Sequence, residues 1–170
     1  MPSLRDIRML LRYSAWADAT RLYDALEALP SEVVSQPRAG RPAGLISTLA
    51  HVYVVDRIWR GHLEDRSHGF KTRNVEQLPK LAELRQFQAE KNRWYVNYVD
   101  MQAEESLAHV VDFKFVDGGS GSLSRGDILI HVSNHKTYHR GYVADMLYES
   151  GLKPPTMDLP VFLRDAPPGL

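Results

Sequence analysis

The segment HVSNHKTYH sets three histidines at a spacing of four: His131, His135 and His139. On a helix that spacing stacks side chains along one face, and two imidazoles one turn apart can chelate a single metal ion. Counting about 100° per residue from Ile128 at zero on an ideal helix, His131 falls at about 300°, His135 at about 340° and His139 at about 20°. Val132, Val143 and Met146 fall between zero and about 60° by the same count, which predicts His135 and His139 in the middle of an apolar stripe and His131 at its rim. Ser133, Asn134, Thr137, Arg140 and Asp145 gather on the other side as the expected polar face. Imidazoles in an apolar stripe need partners for their ring nitrogens. A metal ion is one such partner, and ordinary hydrogen bonds are the alternative.

The same arithmetic limits the set. His131 and His139 differ by about 12 Å in axial rise, whereas a metal–nitrogen bond is about 2.1 Å, so the three do not share one ion. Lys136 follows His135 where an HExxH metalloprotease carries its glutamate, so that mechanism is not on offer. A third ligand must come from another helix. His51, set in LAHVYVVDRIW among apolar neighbours, is the leading candidate, with a hydrogen-bonded core histidine as the other reading. His62 lies on nearly the same face about three turns later, too far to join that ion. His68 sits in a polar loop and His109 in a connection, where solvated histidine is expected. Asp18 and Asp56 read either as acceptors for ligand N–H groups or as solvated surface positions. The aromatics Tyr13, Trp16, Tyr23, Trp59, Trp94 and Tyr142 read as core or interface packing.

The elements that must position these residues are mostly helical. Ser3 and Asp6 form a capping box, and Ile7, Leu10, Leu11, Ser14, Ala17, Leu22, Ala25 and Leu29 recur at helical intervals up to Pro30. Residues 30–43, with Pro30, Pro37, Gly40 and Pro42, predict a loop. A central helix is expected from Gly44 to about Asp65, apolar on nearly all sides in its middle, and then a polar connection over residues 66–78. A third, more peripheral helix follows Pro79. Val110–Val116 alternates, with Val111, Phe113 and Phe115 on one side, and DGGSG follows it, which predicts a short extended segment or hairpin. Ser124 and Asp127 open a last long helix through Ser150; Gly151 suits its end and Pro154-Pro155 prevents continuation. The tail is expected to be irregular with a short turn of helix. Four long helices with one small extended insert make an all-α bundle, read as a single domain over residues 1–170.

Composition narrows the function classes. The 21 Lys and Arg balance the 21 Asp and Glu, so the totals give no encouragement to nucleic acid. The absence of cysteine removes disulfides, Cys-based zinc sites and a protein-borne thiol nucleophile, leaving His and carboxylates as metal ligands. No apolar run reaches about 18 residues and the N-terminus reads as a helix rather than a signal peptide, so no membrane span is expected and the cytoplasm is the expected location.

YSAWAD with Arg21-Leu22, LAHVYVVDRIW, GDILIHVSNHKTYHRGYV and the trailing PPTMDLPVFL together resemble the DinB family, and these segments span nearly the whole chain. The resemblance implies a four-helix bundle of up-down-down-up topology. It also implies a divalent metal, zinc or nickel, held by His51, His135 and His139, with His131 an accompanying histidine and not a ligand. Asp18 stands where the family more often has Asn. Family members of known activity resemble thiol-dependent S-transferases, which implies a low-molecular-weight thiol as cosubstrate, brought from outside a chain that has no cysteine. A homodimer is also implied. The competing readings are a hydrolase that uses metal-bound hydroxide, and a non-enzymatic metal-binding or dimeric interaction bundle.

Overall fold

The computed structural model describes residues 3–37 and 44–166. It is mostly helical. In chain order the elements are α1 (Leu4–Ala17), a π-helical turn (Asp18–Leu22), α2 (Tyr23–Glu27), α3 (Ser31–Ser35), α4 (Leu45–Leu63), α5 (Leu81–Asp100) and a 3-10 turn (Glu104–Ala108). Strands β1 (Val110–Lys114) and β2 (Ser120–Ser124), then α6 (Arg125–Glu149) and α7 (Leu159–Asp165), complete it.

The helix ends follow from local chemistry. Ser3 Oγ accepts the amide of Asp6 at 3.2 Å and Ser124 Oγ that of Asp127 at 3.1 Å, so both serines cap helices where the sequence predicts, while each aspartate accepts from the serine hydroxyl and not from the cap amide of a full capping box. At the end of α6, Gly151 adopts φ 73° and the Leu152 amide donates to the Leu147 carbonyl at 2.9 Å, a closure that needs the left-handed backbone only glycine adopts freely. The hairpin is antiparallel with Val111 opposite Leu123 and Phe113 opposite Gly121, and Val111 and Phe113 point inward as their alternation predicts. Phe115 lies beyond the strand and is exposed.

Three expectations change. The first helix is not uniform: a π turn carries the chain from α1 into α2, and while Leu22 is buried in that turn as expected, the buried residues beyond it are Tyr23 and Leu26 instead of Ala25 and Leu29. The predicted loop contains α3, with Val34 buried; Gly40 and Pro42 lie outside the described residues. Helix α5 is less peripheral than its sequence suggests, because Leu84, Gln88, Lys91, Asn92, Tyr95 and Val99 are all buried.

Helix α1 packs on α5 and α6, and α4 packs on the same two helices. Two large apolar clusters result, beside a small third one where Tyr13 and Ala17 meet Phe162 of α7. One gathers Ile7, Leu11, Trp59, Tyr95, Val99 and Leu129; the other gathers Leu22, Leu26, Leu49, Leu84, Val143 and Met146. Along each helical path buried polar residues lie near the switch from one cluster to the other: Ser14 and Asp18, Asp56, Gln88 and Asn92, and Ser133, Lys136 and Arg140. The core is thus two oily compartments separated by a charged layer. Among the described residues no helix is long and apolar enough to cross a membrane.

Candidate metal centre

His51 is in the second turn of α4, and His135 and His139 are one turn apart near the middle of α6. Since α4 and α6 pack against each other, the three rings meet. Their centroids are 5.3 Å (His51 to His135), 4.9 Å (His51 to His139) and 4.4 Å (His135 to His139) apart. One nitrogen from each ring can be chosen so that all three lie within 4.8 Å of one another.

The Nε2 atoms of His135 and His139 face each other at 3.1 Å. Two nitrogens bound to one ion at about 2.1 Å, at octahedral or tetrahedral angles, stand about 3.0–3.4 Å apart, so the observed spacing fits a shared cation. His51 Nδ1 donates to the Arg73 carbonyl at 2.9 Å, which fixes the tautomer that leaves Nε2 its lone pair. Burial above all, and then the neighbouring imidazoles, lowers His135 to about 3; burial and His51 lower His139 to about 4. Both rings are therefore neutral near pH 7, the form that ligates. The Nδ1 atoms of His135 and His139 are buried without a hydrogen-bond partner. The donor set suits a divalent ion that favours nitrogen.

His131 faces the indole of Trp59, with centroids 5.0 Å apart, and touches His135 at 5.8 Å; it stands beside the trio. His62 is further along α4 among Trp59, Phe113 and His68. His109 is exposed, as expected. His68 is not simply solvated: it is half-buried, packs edge-on against His62, and its Nδ1 accepts the Phe70 amide at 3.1 Å.

A cavity of about 160 Å³ opens beside the trio, lined by His51, His131 and His135 together with Trp59, Phe113 and Phe115. The sequence does not assign the hairpin to this wall, although the inward alternation of Phe113 was its signal. Arg73 was also missed. Its contribution is a backbone carbonyl, which residue type does not reveal.

The largest correction concerns the polar residues of α6. Asn134, Thr137 and Asp145 are exposed as expected, but Ser133 and Arg140 of the same predicted face are buried, and so is Lys136 between them, 2% exposed. Lys136 Nζ contacts Asp56 Oδ2 at 2.9 Å, Asp18 Oδ2 at 3.8 Å and the Asn92 side-chain oxygen. Arg140 pairs with Asp18 at 3.3 Å, Asn92 donates to Asp18 at 3.0 Å and Gln88 donates to Asp56 at 2.6 Å. Asp18 and Asp56 are thus neither acceptors for the ligand imidazoles nor surface positions. They neutralise two buried cations, which is what makes burying all four tolerable. Burial raises the Asp56 carboxyl, opposed by Lys136 and Gln88.

The chain is similar to known proteins in sequence and in fold. The "Protein DinB" of Bacillus subtilis (strain 168) is 25% identical over 158 residues, covering 91% of this chain and 91% of that protein. The crystal structure of a DinB-like protein from Bacillus cereus ATCC 10987 superimposes with a TM-score of 0.65 at 18% identity, covering 85% of this chain and 91% of that one, and so shares the fold. The profile of the DinB family matches residues 1–170, and the chain belongs to that family.

Proposed function

We propose that the protein binds a divalent metal, zinc or nickel, through His51, His135 and His139, and uses it to activate a low-molecular-weight thiol for transfer to an electrophile. The observation that carries this reading is the convergence of three imidazoles at the wall of a cavity. Three neutral ligands leave a bound ion its double charge and an open position, which lowers the pKa of a thiol or water beside it. A purely structural zinc is normally closed by four protein ligands, and among the described residues only these three gather.

The protein's own residues have defined parts. His51, oriented by the Arg73 carbonyl, and the pair on α6 hold the ion. Trp59 and Phe113 wall the cavity and keep water from the reacting end of a bound molecule. With no cysteine in the chain, the sulfur arrives with the cosubstrate. We read the four long helices as the up-down-down-up bundle of one DinB-like domain, cytoplasmic and homodimeric, with small molecules and not nucleic acid as partners.

The test has two parts. Untagged protein reconstituted with zinc or nickel should carry one ion per chain and lose it in His51→Ala and His135→Ala; no stoichiometric ion in the wild type sinks the proposal. Conjugation of a model electrophile should then require added thiol. Equal turnover without thiol would point to hydrolysis by bound hydroxide instead.

A further inference from the structure

The metal-side cavity is not a closed pocket. A second and wider basin of about 620 Å³ lies beyond it, and His62, Phe113 and Lys114 line both. The inner chamber, of about 160 Å³, has apolar walls from Val55, Ile58, Trp59, Phe113 and Phe115. An apolar cavity of about that size holds one benzene-sized group. The outer basin is different in kind. It carries the hydroxyl side chains Ser67, Ser120 and Ser122 and the imidazole His68, with Arg66 and Lys114 as its cations.

Both chambers are built by close packing. A β-carbon on Gly61 would lie 2.9 Å from His68 Cβ and 3.1 Å from the Arg66 carbonyl, so glycine in α4 lets the 64–68 turn press down beside His62. A β-carbon on Gly121 would lie 2.7 Å from Phe113 Cζ, so glycine in β2 lets that ring lie flat between the chambers. The charges are unequal in their commitments. Arg66 pairs with Glu64 at 3.4 Å, Asp112, the acid of the basin, accepts from Ser122, and Asp117, the acid of the inner chamber, accepts the Gly119 amide at 3.2 Å. Lys114 has no ion-pair partner among the described residues, and Arg73, at the inner chamber, has none either.

We infer that the two chambers form one bipartite site for a carboxylate-bearing small molecule. Its compact reactive end enters the apolar chamber beside the histidines. Its polar body lies in the serine-lined basin, and Lys114 at the junction receives the carboxylate. This deepens the thiol reading and rests on it for the identity of the reactive end: the cosubstrate becomes an anionic, hydrogen-bonding thiol in preference to a neutral one.

The probes are mercaptosuccinate, 2-mercaptoethanol and succinate, titrated into zinc-loaded protein and followed by calorimetry and by amide shifts. Mercaptosuccinate should bind about fivefold or more tightly than 2-mercaptoethanol, and Lys114→Met should remove most of that preference without loss of zinc or folding. The amides of His68, Ser120 and Ser122 should shift with mercaptosuccinate. Lys114→Glu should weaken its binding further than Lys114→Met. Equal binding of the two thiols, or a preference that survives Lys114→Met, overturns the inference and leaves the thiol proposal standing. If neither thiol reaches the metal yet succinate shifts the basin amides in a Lys114-dependent way, the thiol proposal fails and the anion basin stands. No response to any probe ends both.

Discussion

Lys136 Nζ lies 2.9 Å from Asp56 Oδ2, with the two side chains 2% and 0% exposed. Lys136 falls between His135 and His139 on α6, and Asp56 falls five residues after His51 on α4. The helices that carry the candidate ligands are therefore tied together by an ion pair of their own. Gln88 and Asn92 bring α5 into the same contact, and Asp18 brings in the first helix. Such a pair adds little net stability over an apolar one, but breaking it by removing one partner strands a buried charge.

Lys136→Met should accordingly destabilise the metal-free protein by about 3–5 kcal/mol, while Lys136→Met combined with Asp56→Leu should recover much of that loss. Urea unfolding of the two variants beside wild type measures both quantities. A cost below about 1 kcal/mol for the single variant would place this pair among ordinary surface salt bridges.

Among the α6 histidines, replacement should separate ligand from neighbour. His139→Ala should abolish stoichiometric metal, because its Nε2 is one of the facing pair. His131→Ala should keep the ion with modestly weaker binding, since its contacts are with Trp59 and the edge of His135. Metal analysis after dialysis decides the matter, and equal losses in both variants would refute the assignment.

The metal-free protein should lose stability in acid through these same rings. Folding lowers His135 to about 3 and His139 to about 4 from the ordinary 6.5, so between those limits the unfolded chain binds more protons than the folded one. Their stabilising contribution is complete above about 6.5 and is lost as pH falls toward 4 and then 3. Wild type should therefore weaken more steeply from pH 6.5 to 4 than a His135→Gln/His139→Gln variant, as denaturant midpoints will register. Parallel pH profiles would contradict the linkage.

Gly61→Ala offers a test of close packing. Alanine gains about 1 kcal/mol in helix propensity over glycine. Its methyl group would meet His68 Cβ at 2.9 Å, with the Arg66 carbonyl at 3.1 Å behind it, and overpacking of that kind costs about 1–3 kcal/mol. The clash should win. A net loss of thermal stability, with altered His62 and His68 imidazole resonances, is the expected result; a stabilised variant would show that the turn yields.

Much of the scaffold is legible in the sequence because it rests on local signals. The serine caps at Ser3 and Ser124, the glycine at 151 and the alternation through Phe113 each act within a few residues. The meeting of His51 with His135 and His139 is legible in part: helical periodicity pairs the two, but it sets them in the middle of the core stripe, whereas they stand half-buried at the edge of the buried arc. The charged layer was hidden because residue type argues the wrong way. On the same helical count Lys136 falls at about 80°, near the middle of the buried arc, yet a lysine there reads as solvent-facing until its partners are known. Asp18 and Asp56 are those partners, and they are distant in sequence. The π turn at Asp18–Leu22 is equally silent, since an apolar repeat with one residue too many looks like ordinary helical scatter.

His51 owes its orientation to the Arg73 carbonyl and to no feature of the arginine side chain. Mutation at position 73 can change what the inner chamber attracts without disturbing how the imidazole is aimed, because every amino acid brings the same acceptor. The route of the chain between α4 and α5 is what that aim depends on. Insertions or deletions there should be felt at the histidine, while substitutions that leave the path intact can vary freely, so ligand specificity and ligand geometry are open to separate evolutionary change at a single residue.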